Sequence, residues 1–164
     1  MLKKVISGGQ TGVDQAGLDA AIRLGIPHGG WCPKGRRSET GRIPYKYKGL
    51  RETEVLSYPE RTKLNVRDAN ATIVFAYDLR SSKGTALTVR LCKKLGRPWF
   101  DVLSELGMFN SNEDGYDYMA EQLSGFEIIN VAGSRESGNP GIFEASRDRF
   151  VEIFRRLVLE KAND

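Results

Sequence analysis

Three glycine-rich segments of the chain carry residues that could bind an anion. The first segment, residues 7–14, reads SGGQTGVD and lies between a predicted strand and a predicted helix. Glycines let a ligand approach the backbone amides closely, and a helix N-terminus adds about half a positive charge. The spacing matches neither the G-x-G-x-x-G fingerprint nor a Walker A loop. The segment predicts a site for phosphate or another oxyanion, and a tight turn capped by Ser7 or Thr11 is the alternative.

The second segment is Ser81-Ser82-Lys83-Gly84-Thr85, which follows an apolar run of strand type. Gly84 and Thr85 can hold an oxyanion at the start of a helix, and Lys83 can pair with that oxyanion as a point charge. An exposed lysine beside a capping threonine is the alternative. Because both segments follow predicted strands, we expect them to lie at the same edge of one sheet.

The third segment, residues 29–37, reads GGWCPKGRR. Trp31 offers a flat face to a planar ring, and Lys34 and Arg36 offer positive charge to an anion. The alternative is a buried tryptophan beside surface bases. This segment therefore adds a possible ring-binding part to the predicted anion site.

Charge is distributed unevenly along the chain, whose net charge is +4. Residues 34–67 hold ten Lys or Arg and four Glu, whereas residues 101–144 hold nine acidic residues and one Arg. A basic stretch of this kind can be a solvated surface, a nucleic-acid patch or the wall of an anion site. Because the basic residues alternate with Gly and Pro and form no known nucleic-acid module, we expect a loop around an anion and no nucleic-acid partner.

Residues suited to hydrolytic or metal chemistry are few. Cys32 and Cys92 are far apart in the sequence, and His28 is the only histidine and lies in a predicted turn. No nucleophile–base pair and no spacing typical of metal ligands is present. No apolar run approaches the roughly 20 residues that span a bilayer, and the N-terminal stretch turns polar too soon for a signal peptide. We therefore expect a cytoplasmic protein with reduced thiols.

The elements that must position these segments alternate between strand and helix. Apolar runs predict strands at residues 4–7, 71–76, 98–102 and 126–131. Helical spacing predicts helices at residues 14–24, 61–68, 85–95, 116–123 and 142–160, and residues 29–47 predict a long ordered loop. This alternation predicts a single domain over residues 1–164, a Rossmann-like three-layer α/β/α fold with a mainly parallel sheet. Ligands of such folds bind at the carboxyl ends of the strands.

Five motifs, taken in order, resemble the molybdenum-cofactor carrier protein family. They are residues 6–14 (ISGGQTGVD), residues 29–36 (GGWCPKGR), Arg61-Thr62 with Asn65-Val66, Gly84-Thr85, and residues 130–137 (NVAGSRES) with Pro140-Gly141-Ile142. The resemblance covers nearly the whole chain. It implies a Rossmann-like homo-oligomer that carries molybdopterin, with molybdoenzymes as acceptors.

That family is distantly similar to the nucleotide phosphoribohydrolases once labelled lysine decarboxylases. Arg61 and the Gly84-Thr85 pair match their binding motif, but their catalytic Glu falls on Thr88 and a motif glycine falls on Lys83. A threonine cannot act as the carboxylate that stabilises an oxocarbenium ion or activates water. The departure favours a binding protein over a hydrolase of that type.

The sequence therefore predicts a binding or carrier protein for a phosphorylated small molecule, with molybdenum cofactor as the leading ligand by resemblance. The alternative is a nucleotide-binding sensor or a nucleotide or nucleoside-phosphate hydrolase that uses another acid. No catalytic residue is predicted. The predicted ligand-binding residues are Gly8, Gly9, Gln10, Thr11, Gly12, Asp14, Trp31, Lys34, Arg36, Arg61, Lys83, Gly84 and Thr85.

Overall fold

A parallel sheet of six strands lies at the centre of the computed structural model, which describes residues 1–159. The strands are β1 (Lys4–Ser7), β2 (His28–Cys32), β3 (Arg37–Ser38), β4 (Gly41–Arg42), β5 (Leu50–Glu52), β6 (Ala71–Phe75), β7 (Trp99–Asp101) and β8 (Ile128–Gly133). The central sheet has the order β5-β2-β1-β8-β6-β7, and all its strand pairs are parallel. Strands β3 and β4 form a separate antiparallel hairpin.

The strand order reverses direction around β1 and β8. From β1 the chain passes to β2 and β5 on one side, and it then crosses to β6 and β7 on the other side of β8. At such a switch point the loops leaving neighbouring strands run to opposite sides, which leaves a crevice at the carboxyl ends. In the register of these central strands, Val5 of β1 lies opposite His28 of β2 on one side and opposite Ile129 of β8 on the other.

Helices cover both faces of the sheet. They are α1 (Val13–Arg23), α2 (Tyr58–Asp68), α3 (Lys83–Lys94), α4 (Val102–Leu106), α5 (Asn112–Leu123) and α6 (Ile142–Leu159). On one face Val131 of β8 packs against Gly17 of α1, and α6 packs on α1 and α5. On the other face α3 packs beside α2 and against β8. Within residues 1–159 no helix is both long enough and apolar enough to cross a membrane.

The fold class predicted from the sequence is confirmed, and two of its strongest patterns explain why. All five residues of β6 are buried, as expected for a strand covered on both faces. The apolar stripe of α6 is buried at Ile142, Phe150, Ile153 and Leu157, because helical spacing places these side chains on one face. Glu160, predicted as the last residue of this helix, lies outside the described residues.

The prediction of a long loop at residues 29–47 is wrong. This segment contains most of β2, a short 3₁₀ turn and the β3–β4 hairpin, and β5 follows it. The sequence of β2 is HGGWC, which has no apolar alternation. Its Gly30 has a positive φ of 113°, and a Cβ there would lie 2.3 Å from the Ser7 carbonyl oxygen. Close packing of backbones therefore explains this strand better than side-chain pattern does.

Helix boundaries also differ from the predicted ones at several places. Helix α2 begins at Tyr58 instead of residue 61, and α5 begins at Asn112 instead of residue 116. Helix α4 was not predicted, and its N-cap Asp101 accepts a hydrogen bond from the Ser104 N–H. In α5 the first turn is polar and capped by Ser111, so apolar spacing gave no signal there.

Candidate functional site

A cleft of about 690 Å³ opens at the carboxyl ends of β1, β6 and β8, at the switch point of the sheet. Its walls come from the β1–α1 loop, the N-terminal parts of α2 and α3, and the segment that follows β8. A cleft of this size is typical of sites for small molecules and cofactors. The lining residues that bear on its chemistry are Gly8, Gln10, Asp14, Tyr58, Arg61, Ser82, Lys83, Gly84, Thr88, Asn130, Ser134 and Arg135.

Asp14 and Arg61 form an ion pair in the wall of the cleft. One Asp14 carboxylate oxygen, Oδ2, accepts hydrogen bonds from Arg61 Nη1 at 2.5 Å and from the Gln10 N–H at 3.2 Å. The two side chains are only 7% and 12% exposed. Gly8 makes room for the guanidinium, because a Cβ at this position would lie 1.3 Å from Arg61 Nη1. The first loop thus seats a partly neutralised arginine beside the cleft.

Two buried donors of this wall have no hydrogen-bond partner among the described residues. They are Gln10 Nε2 and Arg61 Nε. The Gln10 side chain is held in place because its Oε1 accepts from the Thr11 and Glu39 N–H groups, which leaves its amide nitrogen free. Buried polar groups are normally paired, and an unpaired donor costs about 1–3 kcal/mol. A ligand that satisfies both atoms must supply acceptor oxygens or nitrogens.

The N-terminus of α3 faces the same cleft. The Ser82 hydroxyl accepts from the Thr85 N–H and bonds to the Thr85 hydroxyl at 2.7 Å. A Cβ at Gly84 would meet nothing within 4 Å, so the backbone is open at this point. Thr88 is buried, and its hydroxyl donates to the Gly84 carbonyl oxygen at 3.0 Å. Thr88 is therefore occupied in holding the first turn of the helix.

The charges that line the cleft are mostly positive. Arg61, Lys83 and Arg135 are cationic, and Asp14 is the only carboxylate among the described lining residues. Asp14 is already paired with Arg61. Lys83 has no carboxylate partner among the described residues and Arg135 has only Glu39, at 3.9 Å, so the lining carries a net positive charge that suits an anionic ligand. No group of three or more His, Cys, Asp or Glu within residues 1–159 is placed to hold a metal ion.

A second carboxylate, Glu39 of the β3–β4 hairpin, ties the loops beside the cleft together. It accepts from the Thr11 hydroxyl, and from the Ser137 hydroxyl at 2.6 Å and N–H at 3.3 Å. Arg135 lies 3.9 Å away. Burial alone would raise the pKa of Glu39, but the hydrogen bonds from Ser137 and Thr11 outweigh it and lower that pKa below its ordinary value. The ionised form is thus favoured in the folded protein.

We expect Glu39→Gln to destabilise the protein by about 1–2 kcal/mol at neutral pH. Because the folded-state pKa is lowered, the contribution of Glu39 is complete above its ordinary pKa of about 4.5 and is lost as the pH falls through the lower folded value. Urea unfolding at pH 7 and at pH 3 measures the difference. The exposed Glu54→Gln serves as the matched control. A variant as stable as the native protein at pH 7 would contradict this role for Glu39.

The chain is similar to known proteins over nearly its whole length. A sequence profile of the circularly permutated YpsA SLOG family matches residues 5–154. The chain belongs to this family. It is also similar to a solved protein of Syntrophus aciditrophicus SB described as a "putative molybdenum carrier protein", at 36% identity and a TM-score of 0.80. The similarity covers 93% of this chain and 94% of that one. No curated protein matches the chain.

In this member of the YpsA SLOG family, the cleft gathers about half of the predicted ligand-binding residues. Those that line it are Gly8, Gln10, Asp14, Arg61, Lys83 and Gly84. The remaining residues of the first loop lie just behind it: a Cβ at Gly9 would meet Ile43 and Leu50, and one at Gly12 would lie 2.5 Å from the Ser134 carbonyl oxygen. Thr11 and Thr85 are buried and bond to Glu39 and Ser82.

The third predicted segment lies outside the cleft. The Trp31 indole donates to Asp68 at 2.8 Å, and the Arg51 guanidinium lies over its ring. Arg36 donates to the carbonyl oxygens of residues 43, 44 and 47, where it closes the loop between β4 and β5. Lys34 is exposed beyond the end of β2. The Trp31 and Arg36 side chains thus have structural partners of their own, which sequence spacing alone did not reveal.

Residues that were not predicted as ligand contacts complete the walls. Tyr58 opens α2 and is the only aromatic side chain among the described lining residues. Asn130, Ser134 and Arg135 come from the end of β8 and the segment after it. All three belong to the NVAGSRES motif of residues 130–137, so the sequence motif already pointed to this wall. Tyr58 carried no motif signal, because the predicted helix began three residues later.

Proposed function

We propose that the protein binds a small molecule bearing a phosphate monoester and carries it without hydrolysing it. The observation that carries the proposal is the pair of buried, unpartnered donors, Gln10 Nε2 and Arg61 Nε, in the wall of a cationic cleft. A phosphate supplies several acceptor oxygens and nearly two negative charges at neutral pH. It therefore fits both the donors and the net positive charge of the cleft.

The start of α3 supports the same assignment. Gly84 leaves the backbone open there, and Lys83 lies at the same helix end. A helix N-terminus favours an anion through its free N–H groups and its dipole. Phosphate held between this helix and the Gln10–Arg61 wall would be contacted from two sides of the cleft.

Molybdenum cofactor is the leading candidate for this ligand, and the ring it carries is a pterin. The support is the motif resemblance together with the similarity to a solved protein described as a "putative molybdenum carrier protein". The phosphate-bearing end fits the donors described above. A molybdoenzyme acceptor, a homo-oligomeric state and a cytoplasmic location belong to the same proposal, because the resemblance and the sequence imply them.

Mass spectrometry of small molecules that copurify with the protein under native conditions tests the proposal. We expect a phosphorylated pterin. A copurifying nucleotide would favour the alternative, a nucleotide-binding sensor. Titration with inorganic phosphate and with phosphate monoesters gives a second reading, since each should compete with the copurified compound. Absence of any copurified phosphate compound, together with no affinity for phosphate monoesters, would contradict the proposal.

Hydrolysis of nucleoside monophosphates should not occur at a useful rate. Thr88 stands where the related hydrolases have a carboxylate, and its hydroxyl is bonded to the Gly84 carbonyl oxygen. Asp14, the one carboxylate among the lining residues within 1–159, is paired with Arg61, so it is poorly placed to act as a base. Chromatographic assay for released base, with and without Thr88→Glu, measures this. Sustained base release by the native protein would establish the hydrolase alternative.

A further inference from the structure

The Tyr58 ring lies among three arginine side chains at the cleft. The guanidinium carbons of Arg37, Arg61 and Arg135 are 5.4, 5.7 and 4.9 Å from the ring centre. These arginines come from β3, from α2 and from the segment after β8, so three separate parts of the chain converge on one ring. Cations within about 6 Å of an aromatic face are attracted to it. The Tyr58 ring is thus surrounded by positive charge from three parts of the chain.

Arg135 is the member of this cluster that remains available to a ligand. It lines the cleft, and its side chain is 45% exposed. Its nearest carboxylate is Glu39, at 3.9 Å, which is itself bonded to Thr11 and Ser137. Arg61, by contrast, is committed to Asp14. A guanidinium that lies on an aromatic ring can present its other face to a further planar group.

We propose that Tyr58 and Arg135 form a subsite for a planar heteroaromatic ring, such as a pterin or a purine. The inference rests on the proposed function, because it takes the phosphate of the same ligand to lie against Gln10, Arg61 and Lys83. Arg61 borders both subsites: its Nη1 holds Asp14, its Nε is unpartnered, and its guanidinium lies near the Tyr58 ring. The ligand class is therefore a phosphate monoester joined to its ring by a short linker.

Trp31, the aromatic residue that the sequence predicted to face a ring, does not line the cleft. The Trp31 indole is bonded to Asp68 and covered by Arg51. Tyr58 instead lines the cleft beside the unpartnered donors. A heteroaromatic ring seated on Arg135 would contact its guanidinium, which the Tyr58 ring holds from the other side, and every flat heteroaromatic ring can stack in this way.

Calorimetric titration with three probes tests this subsite: ribose 5-phosphate, guanosine 5′-monophosphate and neopterin phosphate. We expect at least one ring-bearing probe to bind roughly ten- to a hundredfold more tightly than ribose 5-phosphate. Tyr58→Leu should remove most of that advantage while leaving the affinity for ribose 5-phosphate unchanged, and so should Arg135→Lys, which keeps the positive charge but lacks the planar guanidinium. Tyr58→Phe should keep the advantage, since it keeps the ring.

Tyr45→Leu is the matched control, because Tyr45 also lies under two arginines, Arg36 and Arg42, but is exposed and does not line the cleft. It should leave all three affinities unchanged. The subsite is overturned if neither ring-bearing probe exceeds ribose 5-phosphate on the native protein, or if Tyr58→Leu weakens all three probes equally. Failure of every probe to bind the native protein would instead contradict the phosphate site itself.

Discussion

Replacing Arg61 by methionine should weaken the binding of a phosphate monoester roughly ten- to a hundredfold. The guanidinium supplies an unpartnered donor, Nε, and part of the positive charge of the cleft. A hydrogen bond from a charged donor contributes about 1.5–3 kcal/mol, and about 1.4 kcal/mol corresponds to a factor of ten. Arg61→Lys should recover part of the affinity, because lysine keeps the charge but lacks the planar fork. Calorimetric titration measures both variants.

The same substitution should also destabilise the fold, by about 3 kcal/mol. It would leave the Asp14 carboxylate, which is 7% exposed, without its ion-pair partner. Uncompensated buried charge is costly. Combining Arg61→Met with Asp14→Asn removes that charge, so we expect the double variant to regain most of the stability but not the part of the affinity that the Arg61 Nε donor supplies. Urea unfolding beside the titration separates the two effects.

Lys63→Ala is the matched control for Arg61. Lys63 is exposed on the same helix and does not line the cleft. The Lys63→Ala variant should bind the phosphate monoester with the affinity of the native protein. Equal losses of affinity in Lys63→Ala and Arg61→Met would mean that general surface charge attracts the ligand. Arg61 would then have no place in the site.

The central part of the fold could be predicted because its sequence pattern has a single physical explanation. A run of five apolar, β-type residues such as β6 fits a strand buried on both faces, and the α6 stripe fits one helix face. The glycine-rich loop between β1 and α1 could also be predicted, because the sequence shows a strand pattern before it and a helical pattern after it. Alternating strands and helices imply parallel pairing, and parallel pairing places this loop at the carboxyl edge of the sheet.

The other wall of the site depends on contacts between distant residues, which spacing does not encode. Trp31 and Tyr58 are both aromatic residues near basic ones, but only the tertiary fold places Tyr58 at the cleft and Trp31 against Asp68. Glu39 and Ser137 are 98 positions apart and still share hydrogen bonds. Likewise, the glycines of β2 led to the prediction of a loop, because the sequence does not show that Gly30 packs closely against the β1 backbone.

Gly8 should act on the ligand through Arg61, and Gly8→Ala tests this directly. A Cβ at Gly8 would lie 1.3 Å from Arg61 Nη1, 2.4 Å from Cζ and 2.7 Å from Cδ, so the guanidinium must leave its position. Gly8 is not among the residues of positive φ, so its backbone can accept alanine. We therefore expect an affinity loss close to that of Arg61→Met, roughly tenfold or more.

A double-mutant cycle decides whether the Gly8 effect passes through Arg61. Once Arg61 is methionine, adding Gly8→Ala should cost almost no further affinity, because the contact it disrupts is already gone. Gly138→Ala is the control: it adds a methyl group to another lining glycine, where a Cβ would meet nothing within 4 Å. It should bind normally. Additive losses from Gly8→Ala and Arg61→Met would show that the methyl group meets the ligand itself, and the phosphate would then lie directly over Gly8 instead of being held there by the arginine.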